Sequence, residues 1–546
     1  MTQVVLANIN NETCQNYTVE DQDPLFTLNA YANVIHVPAI IKQARKIHGE
    51  VNQRLDAILH DFLDGATIGG WLPTQWAHFI HNALAYQIIW DELAKRYSTS
   101  LWHVLIPNQP YCLGNHSCIP ALALVNTLES KGIHYIAYST EISGLGEPGF
   151  PDLRNISKNI ELLCHIPTCF YDKDYFYQEI ASSGLTYGIL NSEAFDVSPP
   201  ENMPTSGLCY LHDMLGELDT ADIEQVNQLE SPIRQCLEEI LVLLIRQLDY
   251  KTLQVNFLWE RIRNQCYFFL WLEKHFSTQK PWQFLLSNHD VMLHGALLSF
   301  AKKHNIHVTI VPHSKVFNYP FIYINEQVPP LCLHHALQDG PCVDTTGKIL
   351  PSRRMTFAGV WKQDMACPQQ IKSVGIILNG TYPTHLEKFF KGLLHIKQWA
   401  GQNNIRPRFR VRSLLPLLSI SKILGVPLME LEKDGQGSVL DFAKGCDMLI
   451  SYDLHSSAVL EVLREGYTVI HADVQSEIHP YWCIVDALVV PRFSVHELLE
   501  RLSMMVACPE YFQEFRHRQR RSVLEAMTTA RTLGYWLQNR VNVFCK

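Results

Sequence analysis

Two serines, a glutamate and a glycine at fixed spacing form the part of the chain best suited to chemistry. Ser456 and Ser457 follow an apolar run at 448–450, Glu461 comes four residues after Ser457, and Gly466 comes nine residues after it. The pattern predicts a strand, a helix that begins at two hydroxyls and ends at glycine, and a second strand. Free N–H groups at such a helix start bind phosphate, and a carboxylate one turn later can accept from a ribose diol. The segment therefore indicates nucleotide binding.

Basic side chains precede this segment on a predicted strand at 408–412. Arg408, Arg410 and Arg412 share one face of it, because alternate residues of a strand point the same way. Guanidinium groups and hydroxyls neutralise the negative charge of a departing nucleotide without a metal. We predict that Arg410 and Arg412 bind phosphate. His455 is predicted to stack or form a hydrogen bond at the cleft, and a bystander role is its alternative. The alternatives are a solvated surface strand and, for the serine pair, a simple helix N-cap.

A general base is a second requirement if the reaction removes the proton of an acceptor hydroxyl. Histidine and carboxylate side chains serve in this role. His116, His289, Asp290 and His313 lie in loops after predicted strands of the first half, and they are our catalytic candidates. A structural role is the alternative for each, since the chain has 25 histidines. A mechanism without this step needs no such base, and the sequence leaves both outcomes open.

Composition excludes several classes of protein. A chain of 546 residues is long enough for two or three domains, and its net charge of −9 provides no broad basic surface for nucleic acid. The 15 cysteines contain no CxxC pair, so we expect reduced core thiols rather than a zinc site. No Asp-x-Asp pair stands beside a predicted strand end. We therefore predict no metal.

Location follows from the absence of a leader-like start and of long apolar runs. The first residues lack a basic region followed by an apolar stretch, and runs such as 240–245 are too short to span a bilayer. We expect a cytoplasmic protein. The basic stretch 516–521 is interpreted as a solvated helix face, with peripheral contact to the anionic inner membrane as the alternative.

Periodicity divides the chain into three parts. Residues 1–98 are expected to form an N-terminal helical region, which offers a surface for a partner or a second copy. Residues 99–358 contain β-α-β patterns interrupted by long helices, and residues 359–546 contain a further α/β block followed by terminal helices. Such patterns predict parallel sheets whose ligands bind beyond the carboxyl ends of the strands. With two such sheets, the site is expected in the cleft between them.

Three segments in this order resemble the GT-B glycosyltransferases that build bacterial capsular and surface polysaccharides. The segment 114–132 is similar to the first turn and helix of their N-terminal half. Residues 288–290, 301–307 and 312–314 resemble a capsule-type segment, and the Ser456 to Gly466 stretch resembles the nucleotide-sugar segment. Two departures occur: Ser314 stands where glycine is usual, and Ser413-Leu414 stands where a His-Pro pair is often found.

The resemblance implies an α/β fold with two Rossmann-like domains facing across a cleft, flanked by the N-terminal helical region and the C-terminal helices. It implies a metal-independent glycosyltransferase with no cofactor, which uses a nucleotide-activated sugar as donor. The acceptor would be a glycan, a lipid-linked precursor or a protein side chain. The alternatives are a nucleotide-sugar epimerase or a polyol-phosphate transferase of the same fold, or a GT-B-like scaffold without activity.

Overall fold

The coordinates are those of a computed structural model. It describes residues 4–7, 38–62, 90–91, 94–95, 98–99, 101–106, 119–139, 149–166, 173–191, 201–242, 248–287, 293–311, 331–338, 351–356, 368–378, 386–411, 417–453, 458–474 and 485–539.

A small parallel sheet contains the first β-α-β unit predicted from the sequence. Its strands are β1 (Val4–Ala7), β2 (Leu101–Ile106) and β3 (Tyr135–Ser139), in that spatial order. Helix α2 (Ile119–Ser130) connects β2 to β3 and is followed by Gly132 at φ +64°. Strand β1 lies within the region expected to be helical, which also contains helix α1 (Pro38–Leu59).

The first large sheet has seven strands, and every strand pair in it is parallel. Its spatial order is β17-β11-β10-β9-β8-β5-β6. These strands are β5 (Leu162–His165), β6 (Tyr187–Ile189), β8 (Gln283–Ser287), β9 (His307–Val311), β10 (Leu331–His335), β11 (Ser352–Thr356) and β17 (Arg531–Thr532). A separate antiparallel pair joins β4 (Phe150–Asp152) to β7 (Gly207–Cys209).

Helices between these strands provide the cover that a parallel sheet needs. They are α3 (Lys173–Ser182), α4 (Leu211–Glu217), α5 (Thr220–Gln228), α6 (Glu230–Leu241), α7 (Leu248–His275) and α8 (His294–Lys303). Helices α7 and α8 contribute Phe268 and Phe300 to a core that also contains Phe284 of β8 and the apolar face of α6. Parallel sheets are buried on both faces, so this helical layer is a condition of the sheet rather than an addition to it.

The second large sheet has five parallel strands in the order β13-β12-β14-β15-β16. The strands are β12 (Ser373–Leu378), β13 (Arg406–Arg410), β14 (Met448–Tyr452), β15 (Val469–Asp473) and β16 (Arg492–Ser494). Its helices are α9 (Leu386–Gln402), α10 (Leu417–Leu424), α11 (Leu428–Gly435), α12 (Val439–Ala443), α13 (Ala458–Arg464), α14 (Val495–Ala507), α15 (Pro509–Thr529) and α16 (Leu533–Gln538). Helices α9, α10 and α14 pack on one face of the sheet, and α12, α13 and α15 pack on the other.

In each large sheet, the chain first adds a strand on one side of the starting strand and then adds the remaining strands on the other side. In the first, the chain proceeds from β5 outward to β6, and from β8 outward through β9, β10 and β11 on the other side. In the second, it proceeds from β12 to β13, and from β14 through β15 to β16 in the opposite direction. The switch points therefore lie between β5 and β8 and between β12 and β14. Crevices for ligands open beyond the carboxyl ends of strands at such points.

The two halves are joined by a hydrophobic cluster that contains residues of both, and by the segment that forms β17 and α16. Strand β17 follows α15 and pairs with β11 of the first sheet, and α16 packs against α3. Arg354 forms an ion pair with Asp486 at 2.9 Å across the halves. The expected α/β class with two Rossmann-like parallel sheets is confirmed, and the domain boundaries stay a prediction.

Helix α15 divides the basic stretch 516–521 between the interior and the surface. Arg516 and Gln519 are buried, whereas Arg518 is exposed and pairs with Glu514 at 2.6 Å. The Gln519 amide accepts from the Val469 N–H at 2.9 Å and donates to the carbonyl of the same residue at 2.7 Å. This side chain therefore holds the start of β15 in place.

Replacement of Gln519 by leucine should destabilise the second half by about 3 kcal/mol, because it leaves buried backbone groups at the start of β15 without partners. Urea titration followed by near-ultraviolet circular dichroism measures the change. Gln225→Leu, at an exposed position of α5, is the matched control and should change the stability by less than about 0.5 kcal/mol. Equal effects of the two substitutions would contradict the assigned role.

Candidate functional site

The segment singled out from the sequence lies at the switch point of the second large sheet. Strand β14 ends at Tyr452, helix α13 begins at Ala458, and Gly466 ends the turn after it at φ +83°. Strand β15 then runs parallel to β14. The predicted strand-helix-strand order is confirmed. The predicted ligands Ser456 and Ser457 connect β14 to α13 in the sequence but lie outside the described residues, as does His455.

Glu461 lies in the first turn of α13 and is partly exposed. The neighbouring Val459, Leu460, Val462 and Leu463 are all buried, so the helix turns its apolar side to the core and keeps the glutamate at the surface of the sheet edge. A carboxylate in a first turn is also stabilised by the helix dipole. The predicted role of Glu461 in donor binding stays a prediction.

Asp453, which the sequence did not single out, directly follows β14 at the switch point. It adopts φ +68° although it is not glycine, and its side chain is only 3% exposed. Its N–H donates to the carbonyl of Ala472 at 2.9 Å, which continues the pairing of β14 with β15. Asp is one of the few residues that tolerates this backbone region, and residues held there concentrate at functional sites. The strand therefore ends in a fixed backbone turn at Asp453.

A buried pair of polar side chains lies just inside this edge. Ser451 of β14 and His471 of β15 are opposite each other, and the histidine Nδ1 lies 3.1 Å from the serine hydroxyl oxygen. Burial lowers the pKa of His471 to about 3, and the positive charge of Arg492 adds to this effect. His471 is therefore neutral beside the Ser451 hydroxyl.

Arg408 and Arg410 share a face of β13, as predicted, since Phe409 between them is buried in the core on the other side. The strand spans 406–410 rather than 408–412. The Nη2 of Arg408 donates to Asp434 at 2.5 Å, and its guanidinium lies 4.9 Å from the ring centroid of Phe442. Arg408 thus ties β13 to the helices α11 and α12.

Arg410 makes a similar kind of contact. Its Nη1 donates to the carbonyl of Asp434 at 2.9 Å, and its Nη2 donates to the carbonyl of Gly437 at 3.0 Å. These bonds anchor the turn after α11, so Arg410 has a structural role that needs no ligand. Phosphate binding by Arg410 stays a prediction. The same holds for Arg412, which lies outside the described residues.

The four catalytic candidates of the first half also lie outside the described residues: His116, His289, Asp290 and His313. Their places in the sequence are still informative. Residues 288–292 connect β8 to α8, and residue 312 follows the last residue of β9. Both connections leave carboxyl ends of strands in the first large sheet, and the first of them belongs to its switch point.

Within the described part of the chain, no group of three or more His, Cys, Asp or Glu side chains is placed to hold a metal ion. No helix in the same part is long and apolar enough to cross a membrane. A cavity of about 320 Å³ lies beside β16, two strands away from β14, and is lined by α14 and α15. It contains none of the predicted site residues.

Arg408→Ala should destabilise the second half by about 2 kcal/mol, because it leaves the half-buried Asp434 carboxylate without its cation. Arg406→Ala, at an exposed position of the same strand, is the control and should change the stability by less than about 0.5 kcal/mol. Thermal unfolding of both variants measures the difference. A stable Arg408→Ala protein would contradict an anchoring role.

Acidification should weaken the fold through His471. Its pKa is about 3 in the folded protein and about 6.5 when unfolded, so the unfolded chain binds the proton first and stability falls as the pH drops below 6.5. The loss through this group between pH 7.5 and 5.5 is about 1 kcal/mol. His471→Gln should reduce the measured difference by that amount, whereas His395→Gln, at an exposed position, should leave it unchanged. Urea titrations at the two pH values provide the test.

Comparison with known proteins finds similarity at the level of structure. No protein-family model matches the sequence, and no curated protein matches it. MurG of Acinetobacter baumannii is 9% identical over 68% of this chain and 96% of its own, with a TM-score of 0.32. A UDP-N-acetylglucosamine 2-epimerase is 9% identical over 67% and 94%, with a TM-score of 0.30. The lipopolysaccharide outer core galactosyltransferase WaaB is 10% identical over 67% and 99%, with a TM-score of 0.31. The fold assignment rests on the strand order of the two large sheets.

Proposed function

We propose that the protein is a metal-independent glycosyltransferase that moves a sugar from a nucleotide-activated donor to a hydroxyl acceptor. The observation that carries the proposal is the coincidence of two independent features. The first feature is the side-chain chemistry of the segment Ser456 to Glu461, which follows β14 in the sequence and extends into α13. The second is the position of β14, which borders the switch point at which an open parallel sheet binds its ligand.

The chemistry of the segment suits the nucleotide part of the donor. Backbone N–H groups and two serine hydroxyls can bind the phosphates, and Glu461 can accept from the ribose hydroxyls. In the transfer, the acceptor oxygen forms a bond to the anomeric carbon, and the bond from that carbon to the donor phosphate breaks. The phosphate leaves with the electron pair, so the site must stabilise growing negative charge.

The acceptor is proposed to be a glycan, a lipid-linked precursor or a protein side chain. Peripheral contact with an anionic membrane and self-association through the N-terminal region belong to the same proposal. The competing functions are an epimerase or a polyol-phosphate transferase of similar fold, and a scaffold without activity. Products separate the enzymes from each other, since only a glycosyltransferase forms a new glycosidic bond. Failure to bind any nucleotide identifies the scaffold.

A donor screen should reveal binding. UDP-, GDP-, ADP-, CMP- and CDP-linked sugars are tested by thermal shift, and the sugars linked to one nucleotide should raise the melting temperature. A ligand at 100 times its Kd stabilises the folded protein by about 2.7 kcal/mol. EDTA should leave both the shift and the transfer unchanged. If none of the five donors stabilises the protein, the proposal that it is an enzyme is wrong. If EDTA abolishes the transfer, the proposal that the enzyme needs no metal is wrong.

Substitution at the segment should weaken binding of that donor without unfolding the protein. Glu461→Ala should raise its Kd by about tenfold to a hundredfold, which corresponds to the loss of charged hydrogen bonds, and Ser457→Ala should raise it by about tenfold. Glu500→Ala is the control, because Glu500 is an exposed glutamate of α14 in the same half. Isothermal titration measures the three constants. Wild-type affinity in both test variants would move the donor site elsewhere.

A further inference from the structure

The cavity of about 320 Å³ beside β16 has a volume typical of a small-molecule site. Its walls come from the segment that leads into β16, from β16 itself and from the helices α14 and α15. Strand β15 separates it from β14, so it is distinct from the proposed donor site. Phe493 of β16 and Phe515 of α15 pack against the core of the second sheet but are only partly buried. Together with the buried Met505 of α14, they give the cavity an apolar and aromatic wall.

The polar side chains inside the cavity are already bonded within the protein. The Gln519 amide accepts from the Val469 N–H and donates to the carbonyls of Val469 and Val489, at 2.7 and 2.8 Å. The Tyr511 hydroxyl accepts from Nη1 of Arg501 at 2.9 Å. A ligand that placed polar atoms here would bury them with few partners, which is costly. The part of a ligand that enters the cavity is therefore expected to be hydrocarbon.

Two arginines and no carboxylate are among the twelve residues that line the cavity. Arg501 is exposed, its guanidinium lies 5.7 Å from the ring centroid of Phe493, and its printed hydrogen bond is to a neutral hydroxyl. Arg518 pairs with Glu514, but the two side chains are 71% and 65% exposed, and so exposed a pair contributes little. Both cations can therefore bind a phosphate held at the mouth of the cavity.

A peptide strand added to the edge of the sheet is the competing occupant, because β16 is an edge strand. Only three residues form this strand, and Pro491 before it has no N–H. The N–H of Ser494 donates to the Glu497 carboxylate at 2.9 Å. The edge offers few donors to a peptide, whereas a hydrocarbon chain needs none.

The turn before β16 extends the apolar wall outward. Leu488 lines the cavity and is 84% exposed, the largest value for a large apolar side chain in the described part of the chain. Its N–H donates to the Asp486 carboxylate at 2.9 Å, and Asp486 pairs with Arg354, so the turn is held in place. Proteins that lie on membranes combine apolar side chains, which enter the acyl region, with cations that attract anionic lipids. Leu488 and the two arginines provide this combination at one mouth.

We propose that this cavity binds one anionic membrane lipid, with an acyl chain between β16, α14 and α15 and the lipid phosphate at Arg501 and Arg518. Leu488 enters the membrane beside that lipid. The inference rests on the proposed function, because it assigns the peripheral membrane contact of that proposal to one surface. It places the second half at the membrane, where a lipid-linked acceptor is found.

Flotation of the full chain with vesicles tests the membrane contact. The protein should bind phosphatidylcholine vesicles that contain phosphatidylglycerol and should not bind phosphatidylcholine alone. Arg501→Gln and Arg518→Gln should each lower the partition coefficient about fivefold, the factor that a cation near an anionic surface contributes. Leu488→Asn should lower it about tenfold through lost apolar burial. Arg406→Gln and Met429→Asn make the same changes at exposed positions of β13 and α11, and these controls should bind like the wild type.

A soluble lipid analogue tests the cavity itself. Dodecyl phosphate should bind in isothermal titration, and decyl phosphate, which is two CH₂ groups shorter, should bind about tenfold more weakly. Inorganic phosphate should show no binding, which distinguishes a lipid from a free anion. Ser522→Phe places a ring in the cavity without changing the charge, and it should abolish the binding of dodecyl phosphate.

Wild-type vesicle binding in Arg501→Gln, Arg518→Gln and Leu488→Asn would overturn the inference, and so would equal losses in the two controls. A dimer that Leu488→Asn dissociates in sedimentation velocity would assign the surface to a second copy instead. A protein that binds a nucleotide sugar but neither vesicles nor dodecyl phosphate contradicts the inference alone. A protein that binds the lipid but no donor contradicts the proposed enzyme. Should Ser522→Phe fail to fold, the arginine and Leu488 variants decide the question.

Discussion

The cover that parallel strands require on both faces is the constraint on which the rest of this structure depends. Each strand-to-strand crossover needs a helix, and each helix must bury an apolar stripe against the sheet. The second large sheet meets this requirement with α9, α10 and α14 on one face and α12, α13 and α15 on the other. Since the faces are closed, the carboxyl edges are where polar side chains can meet a ligand. Polar side chains that contact a ligand are therefore expected at the two switch points.

Burial keeps one histidine near the edge of each large sheet neutral. The inner polar groups, His165 in the first sheet and His471 in the second, have pKa values lowered by burial and are neutral. The arginines of β13 are neutralised by Asp434 or bound to backbone carbonyls. A site that receives an anionic nucleotide gains from helix starts and hydroxyls, which attract phosphate without the desolvation cost of a buried cation. The described residues are consistent with that solution.

Sequence periodicity predicted most of the second sheet, because its strands are short apolar runs bounded by clear turns. The strand-helix-strand order around Glu461 is confirmed. Strand β13 was predicted two residues late, since alternating arginines and apolar residues fix the face of a strand but not its ends. Strand β5 was missed, because it lies in a stretch of mixed Pro, Gly and apolar residues.

The consequence of that omission was large. Strand β5 lies between β8 and β6, so the order of these strands cannot be worked out without it. His165 is the last residue of β5, so its ring contact with His294 could not be predicted either. The contact between residues 165 and 294 depends on the order of strands in space, which a single sequence does not encode locally. Asp453 was overlooked for a different reason. Its φ of +68° is a backbone property that composition does not reveal.

The pairing of β17 with β11 has a consequence for the order in which the protein can form. Chains generally fold from the N-terminus during synthesis, domain by domain. Here the edge strand of the first large sheet comes from residues 531–532, after the whole second sheet has been made. The edge of β11 therefore stays uncovered until residues 531–532 have been synthesised. An exposed parallel edge of this kind is a place where another chain can pair, so the late arrival of β17 also protects the first sheet against misassembly.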